Sequence, residues 1–72
     1  MNNLNVATIQ LNGNSYEISD GTNLNELLNK LKIKENKVAI EVNGEIIEKS
    51  KYSNLILAKE DKVEIVHFIG GG

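Results

Sequence analysis

Two Asn-Gly dipeptides, Asn12-Gly13 and Asn43-Gly44, constrain this chain more than any other feature. The tightest hairpin turns need a positive φ at both central residues, and Asn followed by Gly is the pair that adopts it most readily. Each dipeptide lies between short runs of alternating character. Ala7-Thr8-Ile9-Gln10-Leu11 and Tyr16-Glu17-Ile18 flank the first, and Val38-Ala39-Ile40-Glu41-Val42 and Glu45-Ile46-Ile47 flank the second. A period of two sends successive side chains to opposite faces, so each unit reads as a hairpin. Neither dipeptide starts a helix, which sets both apart from phosphate-cradling loops.

One stretch between the hairpins has helical spacing. Leu24, Leu27, Leu28 and Leu31 form a single apolar stripe on a helix of about ten residues. Asn23 precedes Glu26 by three residues, the spacing of an N-cap and its reciprocal partner. Lys34-Glu35-Asn36-Lys37 then reads as a polar loop. After the second hairpin, residues 48–54 are polar and irregular with Tyr52 as the anchor, and Leu55-Ile56-Leu57 is a short apolar piece. Lys59-Glu60-Asp61 turns the chain into a last strand, Lys62 to Phe68. The order is strand, strand, helix, strand, short strand, strand. The fold class expected is α+β: a β-grasp, or ubiquitin-like, arrangement with a mixed sheet of four to five strands around one helix. The last strand should lie beside the first. Residues 1–72 read as one domain, with 69–72 a flexible glycine tail.

Composition narrows the function. Seventy-two residues bury only about 60% of their unfolded surface, which leaves little room for an enclosed active site. The chain has no cysteine, so no disulfide, thiolate metal site or cysteine nucleophile is available. A net charge of −2 gives no basic face for nucleic acid, and no apolar run is long enough to span a bilayer. A cytoplasmic protein is expected. The absence of arginine removes the preferred residue for bidentate phosphate recognition, which argues against ATP binding by this chain alone.

The chain closes on Ile69-Gly70-Gly71-Gly72. Three glycines at one fixed place arise by chance in roughly one chain in 3,000. A frayed end would account for glycine alone. A slim tail ending in a free carboxylate can also thread a narrow channel, reaching about 13 Å when extended. With a pKa of about 3.5, that carboxylate is an anionic nucleophile at neutral pH. It can attack the α-phosphate of ATP held by another protein, and the resulting acyl-adenylate is open to a sulfur nucleophile. Read with period two, Val63 and Ile65 face the helix, while Glu64, Val66 and Phe68 face the uncovered side of the sheet. Val66 and Phe68 beside the tail are therefore candidates for partner docking, set against Phe68 folding over the edge into the core.

Other residues have plainer readings. His67 is the sole histidine, which excludes a multi-histidine metal site. It reads as a solvated strand residue, with a minor role near the acyl chemistry as the alternative. Glu60, Asp61 and Glu64, and likewise Lys49 and Lys51, read as solvated charges, with partner contact as the alternative.

Val38 to Ile47 and Asp61 to Gly72, with Gly21 to Leu28 before them, resemble the ThiS family, the sulfur carriers of thiamine biosynthesis. The resemblance implies that Gly72 is adenylated by an E1-like enzyme and converted to a thiocarboxylate with sulfur from a cysteine desulfurase. Thiazole synthase then takes that sulfur for the thiazole ring. Gly70 and Gly71 thread the partner active site. The chain itself binds no cofactor and is not an enzyme, and ATP belongs to the adenylating partner. Glu48-Lys49 stands where the family often has Pro-Arg, Lys59-Glu60-Asp61 where it has Asp-Gly-Asp, and many members end in two glycines. Three alternatives share the same features: the small subunit of molybdopterin synthase, a ubiquitin-like modifier attached to lysines, and an interaction module with an inert tail.

Overall fold

The structure is a computed structural model that describes residues 5–69. The first hairpin pairs β1 (Val6–Leu11) with β2 (Asn14–Ser19) from Val6 opposite Ser19 to Leu11 opposite Asn14. Asn12 and Gly13 between them have φ of 49° and 85°, the left-handed values that the turn demands. The second hairpin repeats this at Asn43 (52°) and Gly44 (87°), joining β3 (Val38–Val42) to the two-residue β4 (Glu45–Ile46).

The helix, α1, runs Leu24–Leu31. Asn23 caps it: its side chain accepts from the Glu26 N–H at 2.8 Å, and the Glu26 carboxylate accepts from the Asn23 N–H at 3.0 Å. The eight residues fall short of the ten expected because Lys32 takes a left-handed conformation, φ 61°. The Ile33 N–H then bonds the Leu28 carbonyl at 2.9 Å and the Lys32 N–H bonds the Asn29 carbonyl. This is a closing motif usually built on glycine, here carried by a lysine, which left no signal for it. The expected polar loop contains a single 3-10 turn, Glu35–Lys37, and a second such turn, Lys49–Lys51, follows β4. Leu55-Ile56-Leu57 forms no strand, and contributes only an isolated bridge between Ile56 and Asn23.

β5 (Lys62–His67) lies at the centre of a five-stranded sheet ordered β2-β1-β5-β3-β4. It runs parallel to β1 and antiparallel to β3, which makes the sheet mixed as expected. Ala7, Ile9, Ile18, Val38, Ile40, Val42, Val63 and Ile65 point inward, onto Leu24, Leu27 and Leu28 of α1. Tyr52 and Leu57 close the core from the connecting segment. Among the described residues no charged or polar residue is buried. None of their helices is long and apolar enough to cross a membrane.

Candidate functional site

β5 has two unlike faces because its side chains alternate. Val63 and Ile65 are 0% and 7% exposed, whereas Val66 and Phe68 are 60% and 54% exposed. Both candidates for docking therefore lie on the open side, and Phe68 does not fold into the core. Ala39 is the cross-strand partner of Val66, and exposed Ile46 stands on the same face beside Glu41. Glu41 is paired directly with Glu64, so an acidic pair interrupts the apolar surface at mid-sheet. The apolar end is the end from which the tail departs. Ile69 is almost fully exposed. Gly70, Gly71 and Gly72, which carry the predicted threading and attachment roles, lie outside the described residues.

Side chains from distant segments hold this strand in place. Asn12 accepts from the Ile65 N–H at 2.7 Å and donates to the Ile65 carbonyl at 3.3 Å, so its amide continues the β1–β5 ladder where β1 has already turned away. Asn43 accepts from the Lys62 N–H at 2.9 Å and donates to the Asp61 carboxylate at 3.0 Å. Asp61 in turn accepts from the Ala58 N–H at 2.8 Å, which closes the bend before β5. Asp61, read in the sequence as a solvated charge, thus shapes the entry to the strand. Lys49 also does more than sit in solvent: its ammonium lies 5.6 Å from the centre of the Phe68 ring and donates to the Val38 carbonyl at 3.2 Å. A cation over an aromatic face is attracted by the ring quadrupole, which orients Phe68 on the sheet. Lys51, Glu60, Glu64 and His67 remain exposed, as a solvated reading expects. No group of three or more metal-ligating side chains comes together among the described residues.

A five-stranded mixed sheet that grips one helix on one face is the arrangement of the β-grasp proteins. Comparison with known proteins takes the assignment further. The model of the ThiS family matches residues 9–72. The sulfur carrier protein ThiS of Bacillus subtilis is 38% identical over 65 residues, covering 89% of this chain and 98% of that protein. The crystal structure of a thiamine biosynthesis protein, ThiS, from Geobacter metallireducens superposes with a TM-score of 0.78 at 31% identity, over 90% of this chain and 99% of that one. The chain belongs to the ThiS family. A thiazole synthase of Magnetococcus marinus is 41% identical over 64 residues, and there the chain spans 20% of the relative's length.

Proposed function

We propose that this chain is a sulfur carrier of thiamine biosynthesis whose reactive group is the carboxylate of Gly72. The observation that carries the reading is an exposed apolar patch, Val66 and Phe68, on the strand that leads into a glycine tail, in a chain of the ThiS family. The body docks by that patch while the tail enters the partner's site. The Gly72 carboxylate oxygen attacks the α-phosphorus of ATP on an E1-like enzyme, and pyrophosphate leaves. Persulfide sulfur from a cysteine desulfurase then displaces AMP at the acyl carbon to give an acyl disulfide. A thiol attacks the donor-side sulfur of that S–S bond, supplying two electrons, so that the thiocarboxylate leaves and the thiol stays in a disulfide with the donor. In this scheme the chain is a carrier rather than an enzyme, it binds no cofactor of its own, and it works in the cytoplasm.

Thiazole synthase is the proposed acceptor. In Magnetococcus marinus and Paramagnetospirillum magneticum, stretches 41% and 42% identical to this chain lie within proteins called thiazole synthase. Placing two partners on one polypeptide raises their effective concentration, which is useful when one must deliver a group to the other. Intact-mass spectrometry after incubation with ATP, the E1-like enzyme, cysteine and a desulfurase tests the reading, with a chain lacking Gly72 beside it. An oxygen-to-sulfur mass increment on the full chain alone is expected. An unchanged mass with partners proven active on another carrier would overturn it.

A further inference from the structure

Asparagine followed by glycine is a reactive pair as well as a turn, because glycine has no side chain to shield its own main-chain nitrogen. That nitrogen attacks the asparagine Cγ and gives its proton to a solvent base, and Nδ2 leaves as ammonia. A five-membered imide remains. Water opens it at Cγ to give aspartate, or at the main-chain carbonyl carbon to give isoaspartate, in which the chain runs through the side chain. One water enters and one ammonia leaves, with no oxidation or reduction.

Both Asn-Gly pairs of this chain are open to solvent. A Cβ placed on Gly13 or Gly44 would meet nothing within 4 Å, and neither glycine N–H has a main-chain partner among the described residues. The two turns also share a conformation, with φ of 49° and 85° against 52° and 87°. In that conformation each asparagine amide is pinned by hydrogen bonds, so the ring closes only once the amide is released.

Release differs between them. The Asn12 amide holds both main-chain groups of Ile65, which is 7% exposed on the central strand. Its turn is flanked by β2, paired with β1 from end to end, and by β5. Freeing it means parting β1 from β5, the contact that joins the two hairpins into one sheet. The Asn43 amide bonds lie in solvent, on the Lys62 N–H and the Asp61 carboxylate. The arm that follows Gly44 pairs with β3 only at Glu45 and Ile46, both exposed, with one further bond from the Ile47 N–H to the Ile40 carbonyl. Fraying of that short arm frees the turn while the rest of the sheet stays closed.

We infer that Asn43 is a site of spontaneous deamidation in the folded protein, and that Asn12, in the same dipeptide and the same turn, is protected by its grip on Ile65. The product loses the contacts of the amide. A carboxylate at position 43 meets the Asp61 carboxylate where an N–H donated at 3.0 Å, and like charges so close repel. Asp61 is also the residue that closes the bend before β5 through the Ala58 N–H. The iso linkage adds a main-chain atom to a two-residue turn and shifts Ile46 against Glu41 on the open face. Conversion therefore loosens the entry to β5 as a molecule ages.

The test holds the folded full-length chain at mildly alkaline pH and maps its peptides by mass spectrometry, reading the amide-to-acid increment at each site. Conversion at Asn43 should outpace that at Asn12 by about tenfold or more, and in denaturant the two rates should agree within about threefold, since the fold alone sets them apart. Equal rates in the folded chain, faster conversion at Asn12, or an Asn43 amide that survives while the denatured chain is consumed would overturn the inference. Asn43→Asp checks the consequence: its denaturant midpoint should fall, and adding Asp61→Asn should restore most of the loss. A midpoint equal to the parent's would overturn the loosening of β5.

Discussion

Both faces of β5 carry apolar residues, and these meet different fates. Val63 and Ile65 vanish under α1, while Val66, one residue further on, is 60% exposed. A single helix can cover only one side of a five-stranded sheet, so the alternation that builds the core also displays apolar surface on the other side. The inner face carries the stability, and the outer face is left free for contact. Substitutions separate these roles on one strand.

Ile65→Ala should have the largest effect on stability, about 2–4 kcal/mol, since it removes buried methylenes from a core with few other layers. For a domain of 72 residues the whole stability is about 4–11 kcal/mol, so denaturant titration should show a large loss of the folded state. Asn12→Gly keeps the positive φ of the turn but removes both bonds to Ile65, and should cost about 1–2 kcal/mol by the same titration. Asn43→Gly should cost less, because its contacts are exposed to solvent. Equal losses at the two turns would show that the clamp on Ile65 adds nothing beyond turn geometry.

A pH titration probes the inner side further. Burial raises the Tyr52 hydroxyl above its ordinary pKa of 10.0, the negative charge of Glu35 adds to this, and a main-chain hydrogen bond with Ile40 works against both. The folded state therefore holds the proton more tightly than the unfolded chain. The contribution is complete below the unfolded value of about 10 and is lost as pH rises through the folded value. Denaturant midpoints should be level near neutrality and fall above pH about 10, and Tyr52→Phe should flatten that fall. The outer face should register least. Val66→Ser should change stability by about 0.5 kcal/mol or less, and Phe68→Ser by up to about 1 because it also loses the Lys49 contact. Both should slow adenylation by the E1-like partner, measured as pyrophosphate release. Unchanged rates would show the exposed patch to be idle.

Local signals carried most of this architecture. The two Asn-Gly turns, the Asn23–Glu26 capping pair, the leucine stripe and the alternation in β5 depend on residues within a few positions of each other, and all stand in the structure. The open placement of Val66 and Phe68 followed from the count of one helix against one sheet. The clamp could not be seen in this way. Asn12 reaches Ile65 across 53 residues, and nothing near Asn12 distinguishes a turn asparagine that grips a distant strand from one that does not. The bonds from Lys30 to the Glu17 carbonyl and from Lys49 to the Val38 carbonyl were hidden for the same reason, since an ammonium in a polar segment looks like any solvated charge. The helix end at Lys32 was obscured because a lysine occupies a position that glycine usually marks.

The place of β5 in the sheet has a consequence for synthesis. It is the last of the five described strands in chain order and the middle one in space, bridging β1 and β3. A nascent chain that has not yet delivered residues 62–67 holds two separate hairpins and a helix with no continuous sheet to cover. Closure waits on pairing between the two ends of the chain, the kind of distant contact that sets a slow folding step. A product truncated before β5 lacks the strand that joins the halves and stays open to proteolysis. Folding thus acts as an inspection of length: a molecule that passes has been translated at least to the threshold of its run of glycines.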